Sequence, residues 1–145
     1  MEFLIHPSQQ EFNRLYKEMD DLYHEAALSL GLSDSALMIL YAVCELGEGC
    51  LQKDICAYSF LTKQTVHSAV RKLEQEGILR SESGKGREVH LFLTEQGRAL
   101  AEKTVMPLSE AEYRALDALT AQEQAELIRL TQQYMAALRA QLQRL

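Results

Sequence analysis

LTKQTVHSAVRKLEQEG, residues 61–77, is the stretch whose reading decides the fold. Thr62 suits a helix N-cap, Leu61 and Val66 occupy the two positions of a hydrophobic staple, and Gly77 supplies a left-handed residue at the other end. Between them Val66, Ala69, Val70 and Leu73 recur at i, i+3, i+4 and i+7, an apolar stripe that predicts one face on a core. The opposite face carries Gln64, His67, Ser68, Arg71 and Gln75, with Lys63 and Lys72 beside it. Gln and Arg can hydrogen-bond base edges in pairs, and Lys and Ser can hold phosphates, so this helix has the chemistry of a major-groove reader. An ordinary solvated helix face shows the same alternation, and what decides between the two is what flanks it.

Upstream, ALMILYAVCEL (36–46), capped by Ser33 and stopped by Gly47, is apolar on nearly every side and belongs at the centre of the fold. A short helix from about Gln52 to Tyr58 and the tight link Ser59-Phe60-Leu61 then lead into the reading helix. Two helices joined so closely, the second polar outward, make a helix-turn-helix. Downstream, Ile78–Ser81 reads as a strand, Ser83-Gly84-Lys85-Gly86-Arg87 as a basic loop, and Val89, Leu91 and Leu93 alternate with His90 and Phe92 as a returning strand. A hairpin in this place is a wing. Its glycines let the tip approach a sugar-phosphate backbone, with Lys85 and Arg87 as its charges.

At the ends, Ser8 with Glu11 is a capping box. It opens a helix whose stripe runs Phe12, Leu15, Tyr16, Met19, Leu22, Tyr23, Ala26, Ala27 and Leu30, closed by Gly31. Thr94 opens a long helix that Pro107 should kink or interrupt near Met106, with a restart at Ser109 and Glu112. Thr120 and Glu123 cap a last helix, where Leu127, Thr131, Tyr134, Leu138, Leu142 and Leu145 fall near heptad spacing. These helices carry more apolar surface than a small winged domain can cover. A homodimer, setting two reading helices about one DNA turn apart on a palindromic operator, would cover it.

A chain of 145 residues, 47% hydrophobic and 25% charged, is of a size and composition for one domain with a real core. Its net charge of −6 is unevenly spread. Residues 1–52 hold nine acids and two bases and 91–145 seven acids and six bases, whereas 53–90 hold five acids and seven bases. The basic centre is where DNA would sit. No basic n-region precedes an apolar segment at Met1 and no run is long enough to span a membrane, so the expected location is the cytoplasm. Catalytic motifs such as GxSxG and HExxH are absent, and His6, His24, His67 and His90 do not fall at metal-ligand spacing with acids or cysteines. Neither an enzyme, a cofactor nor a metal is expected. Cys44 and Cys56 read as small buried hydrophobes, and Cys50 is the cysteine to test for a thiol switch.

KQTVHSAVRKLEQEGIL (63–79) and the wing ending REVHLFLTEQG (87–97) resemble the MarR family of bacterial winged-helix regulators. The likeness covers nearly the whole chain and is most specific over residues 50–100. It implies a mainly α fold with a small β wing, a single domain over 1–145 with a winged helix-turn-helix at 33–95, and dimerisation helices at 8–31 and 95–145. It also implies a cleft for a small aromatic or anionic ligand between those helices and the winged region. Arg87 matches the wing arginine of the family, seven residues before Thr94. An aspartate usual two residues before that arginine is replaced here by Lys85, and Phe60 replaces a small residue in the helix-turn-helix turn, implying a packed turn. The peroxide-sensing members carry their cysteine in the first helix, where this chain has none.

Taken together, the sequence predicts a dimeric repressor of a palindromic operator, released by a small-molecule ligand. Gln64, Thr65, His67, Ser68 and Arg71 would meet bases; Lys53, Lys63, Lys72, Lys85 and Arg87 would hold phosphates; Tyr16, Met19, Tyr23, Met38 and Tyr41 would line the ligand cleft. The alternative is a winged-helix adaptor that grips a protein partner without specific DNA binding.

Overall fold

In the computed structural model, which describes residues 3–145, the elements run α1 (Pro7–Ser29), α2 (Asp34–Leu46), β1 (Cys50–Leu51), α3 (Gln52–Tyr58), α4 (Lys63–Gln75), β2 (Leu79–Ser83), β3 (Val89–Leu93), α5 (Glu95–Asp117) and α6 (Ala121–Leu142). Met1 and Glu2, from which the N-terminus was read for a leader, lie outside the described residues. The fold is mainly helical with a small three-stranded sheet, a winged helix-turn-helix. Its centre is α2, as its composition requires: Leu37, Ile39, Leu40, Ala42 and Val43 are buried. Ser33 accepts from the Ala36 backbone N–H at 3.2 Å, and Gly47 ends the helix at φ 92°, a left-handed value that suits glycine.

Helix α4 lays Val66, Val70 and Leu73 into this core, packing on α2 and α3. Each such side chain fully buried contributes about 1.5–3 kcal/mol, which fixes which face of α4 turns outward. In the sheet, order β1-β3-β2 and antiparallel throughout, Leu79 pairs with Leu93, Arg80 with Phe92 and Glu82 with His90. Leu79, Leu91 and Leu93 face the core, and Arg80, Glu82, His90 and Phe92 the other side. β1, missing from the sequence reading, adds to β3 through Cys50 opposite Leu91 and Leu51 opposite His90. Two residues running straight into a helix offer no alternation to read.

Other details correct the sequence reading. His6, not Ser8, caps α1: its Nδ1 accepts from the Ser8 backbone N–H at 3.1 Å, and Pro7 takes the first turn, where no donor is needed. Helix α5 runs through Pro107 without interruption or restart. Proline cannot donate to the Lys103 carbonyl, and Lys103 and Pro107 both stand on the exposed side of the helix, where that loss is cheapest. Phe60 is not packed into the turn; it is 98% exposed. Cys44 and Cys56, like Cys50, are half-buried rather than buried.

The described residues divide at Pro107 into two compact units, the second being Leu108–Leu145. All the buried side chains among the described residues belong to the first unit. In the second, the Gln124 side-chain amide donates to the carbonyls of Leu116 and Leu119 at 2.9 and 3.0 Å, and Thr120 and Glu123 form the reciprocal capping box read from sequence. No residue of α6 is buried. Among the described residues no single helix is long and apolar enough to cross a membrane; α1 and α2 meet the length and composition only as a pair bent by 90°.

Candidate nucleic-acid interface

The outward face of α4 is built from its cap. Thr62 accepts from the Thr65 backbone N–H at 3.1 Å, and the two hydroxyls lie 2.8 Å apart. Thr65 therefore offers a groove its methyl group more freely than its hydroxyl. From this start Lys63, Gln64, Thr65, His67, Ser68, Arg71 and Lys72 are all exposed, while Val66 and Val70 between them are buried. The polar row read from sequence is thus on the surface, and the stripe that aims it is in the core.

The loop between β2 and β3 presents Lys85 and Arg87, both exposed. It is closed by Gly84 N–H to the Glu88 carbonyl at 2.9 Å and Glu88 N–H to the Lys85 carbonyl at 3.2 Å, with Gly86 at φ 63°. Lys53 is exposed on α3. Among the described residues, none of Lys53, Lys63, Arg71, Lys72, Lys85 and Arg87 makes an ion pair, whereas Arg14, Lys17, Arg80, Arg98, Arg114 and Arg129 each hold an acid. In a chain of net charge −6, most of the cations without an ion pair among the described residues stand on α3, α4 and the wing; Lys103, Arg139 and Arg144, on α5 and toward the C-terminus, are the others.

The cap that Thr94 makes for α5 was read from sequence; other bonds that hold this surface in place were missed, because their partners are far apart in the chain. Thr94 accepts from the Gly97 backbone N–H at 2.9 Å and donates to the carbonyls of Gly77 and Ile78 at 2.5 and 3.1 Å, tying the start of α5 to the end of α4. Glu48 takes both its oxygens to Arg98 Nη2 at 3.0 Å and accepts from the Leu93 backbone N–H at 3.0 Å. The Arg98 bond, followed by that from Leu93, holds the Glu48 carboxyl below the usual range. A carboxyl lowered in the folded state stabilises it above its unfolded pKa and loses that contribution as pH falls through the folded value. Glu48→Gln should therefore cost at most about 1 kcal/mol at pH 7, because the side chain is 38% exposed and screened. In urea titrations the difference from the parent should vanish as the pH drops below about 4. A difference that stays constant down to pH 3 would show that the pair is not the source.

The predicted ligand residues stand on two helices that pack together, α1 and α2. Tyr16, Met19 and Tyr23 are exposed along one side of α1, where Tyr16 stacks on Phe12 with ring centroids 6.2 Å apart, and Met38 and Tyr41 are half-buried on α2. A cleft of about 110 Å³ between the α1–α2 turn and α4 is lined instead by Leu32, Ser33, Lys72 and Glu76. Burial, and after it the charge of Asp54, push the Cys50 thiol above its ordinary value; burial does the same for Cys44. Both hold less thiolate at neutral pH than a free cysteine, the opposite of what a peroxide-sensing thiol needs.

Residues 30–88 match the family model described as MarR family. The HTH-type transcriptional repressor Rv2887 of Mycobacterium tuberculosis is 32% identical over 108 residues, 72% of this chain and 77% of that protein. Among solved structures, the MarR family regulator NMB1585 of Neisseria meningitidis superposes with a TM-score of 0.82 at 18% identity, covering 95% of this chain and 98% of that one. The Staphylococcus aureus MepR–DNA complex gives a TM-score of 0.70 at 20% identity over 94% and 99%.

Proposed function

Since the chain belongs to the MarR family and is a transcriptional regulator, we propose that it binds a palindromic operator as a homodimer, represses from it, and is released by a small aromatic or anionic ligand. The observation that carries the DNA reading is the set of exposed cations on α4, α3 and the wing that make no ion pair among the described residues. A phosphate backbone is the partner such a set suits, and counterion release would make the affinity fall steeply with salt. Residues 33–95 form the DNA-binding region in this reading, residues 8–31 and 95–145 the dimerisation helices, and the cytoplasm is where the protein works. Gln64, Thr65, His67, Ser68 and Arg71 face the groove; Lys53, Lys63, Lys72, Lys85 and Arg87 face phosphates. The ligand would act by preferring the dimer whose reading helices are wrongly spaced, lowering DNA affinity by that preference and no more. Tyr16, Met19, Tyr23, Met38 and Tyr41 are its proposed contacts.

One observation favours the alternative, an adaptor for a protein partner: an almost fully exposed Phe60 in the helix-turn-helix turn. A genomic DNA pull-down followed by salt titration separates the two. A palindromic fragment held at least about 10³-fold over scrambled sequence supports the regulator, and weak sequence-blind binding supports the adaptor. On that fragment Arg71→Ala should cost about 1–3 kcal/mol and relax specificity at one position, whereas Lys85→Ala should weaken all sequences alike and flatten the salt slope. An equal loss on random DNA after Arg71→Ala would remove Arg71 from the base-reading set.

A further inference from the structure

His90 lies on the central strand of the sheet, on the face turned away from the core, and its ring reaches to both sides. Toward β1, its Nδ1 is 2.9 Å from the Gly49 carbonyl, which can only accept, so the hydrogen is on Nδ1. Toward the hairpin loop, the far edge of the ring sits where a side chain at Gly84 would begin: a Cβ there would be 2.6 Å from Nε2 and 2.9 Å from Cδ2. Gly84 does not have a positive φ, so its backbone would accept alanine; the imidazole is the tightest obstacle to one, with the Glu88 Cβ next at 3.1 Å. Glu88, which closes the loop through its backbone, also faces the ring, with Oε2 3.7 Å from Nε2. Across β2 the paired residue is Glu82, engaged by Arg80, which in turn lies 4.3 Å over the Phe92 ring. On the β1 side the paired residue is the apolar Leu51.

We propose that His90 is a brace across the sheet, joining the Gly49 carbonyl to Gly84, and that it positions the loop carrying Lys85 and Arg87. Two backbone bonds close the loop from within, Gly84 N–H to the Glu88 carbonyl and Glu88 N–H to the Lys85 carbonyl, and the ring adds a support from the sheet beneath them. A free hairpin tip samples many geometries, and each must be given up on docking against a backbone. A ring held at one end by a hydrogen bond and in contact at the other removes much of that freedom beforehand. The order of the loop is independent of the DNA reading above; the positioning of its charges for phosphate rests on it.

Three variants test the brace, read by amide hydrogen exchange of Gly84 and Glu88, by thermal stability, and by the salt slope on the specific duplex. His90→Ala should speed exchange at both amides roughly five- to tenfold, the equivalent of one net hydrogen bond. It should also flatten the salt slope by about 0.9 for each phosphate that the loosened loop no longer neutralises. His90→Asn keeps a donor for Gly49 but lacks the reach to Gly84. It should match the parent in thermal stability and His90→Ala in loop exchange, a split that a merely structural histidine would not produce. Gly84→Ala should speed exchange mainly by displacing the ring, and its effect on top of His90→Ala should be clearly smaller than on the parent, since only the Glu88 Cβ then crowds the methyl. Unchanged exchange in His90→Ala, or fully additive losses in the double variant, would overturn the brace whatever the DNA result. Faster exchange with an unchanged slope would overturn its role in positioning the charges. A parent protein that binds no duplex specifically would sink the DNA reading, leaving exchange alone to decide the brace.

Discussion

Gly97→Ala is expected to destabilise the first unit by about 3–5 kcal/mol, through overpacking at a hydrogen-bonded backbone site. A Cβ at this position would lie 2.1 Å from the Ile78 carbonyl oxygen and 3.1 Å from its carbon. That oxygen cannot simply move aside, since it accepts from the Thr94 backbone N–H at 3.0 Å and from the Thr94 hydroxyl at 3.1 Å. Separating α5 from the end of α4 would disturb Thr94's bond to Gly77 and the packing of Leu93, whose Cδ2 would itself be 3.4 Å from the new methyl. Alanine in a helix gains about 1 kcal/mol over glycine, which is too little to offset this. Gly31→Ala is the control: φ there is 73° with nothing within 4 Å, so it suffers backbone strain alone, about 1–2 kcal/mol. Thermal and urea unfolding should place Gly97→Ala well below Gly31→Ala. Equal losses would mean that α5 can slide without disturbing Thr94.

The sequence reading succeeded where the signal was local and periodic. Thr62, Ser33, Thr120 and the left-handed Gly31, Gly47 and Gly77 mark helix ends where the structure has them. The stripe Val66, Val70, Leu73 sent α4 to the core, and with it the exposed row from Lys63 to Lys72. It failed where the deciding partner is distant or absent. Glu48 and Arg98 meet across fifty positions, and His90 meets Gly49 across forty-one, with no motif to announce either. Phe60 was read as packed because it replaces the small residue usual in that turn of the family; here it finds no core in its own chain. The stripe of α1 was legible as apolar, yet of its members only Ala27 is buried. Periodicity tells that a face needs covering and says nothing of what covers it.

Met135→Asp is expected to convert a dimer to monomers at micromolar concentration and to lower affinity for a palindromic duplex by about 10²-fold or more, as two linked half-site contacts become one. Helix α6 spans 22 residues with none buried, leaving Leu127, Ile128, Leu130, Met135 and Leu142 between 46% and 57% exposed. Helical propensity and a capping box do not sustain such a helix in water; tertiary packing of its apolar side does. Ile128, Met135 and Leu142 recur every seven residues, the spacing at which one helix meets another. Met135 also borders an open cleft of about 370 Å³ shared with Leu138, Arg139 and Leu142, room for a side chain from a second copy. A carboxylate placed there would be buried unpaired on association, costing several kcal/mol, yet would stay solvated in the monomer. Sedimentation should therefore show monomers, while unfolding of the first unit, whose core ends at Val105, keeps its midpoint in the monomer range. A parent that sediments as a monomer, or a variant that stays dimeric with full affinity, would place the dimer contact elsewhere than on α6.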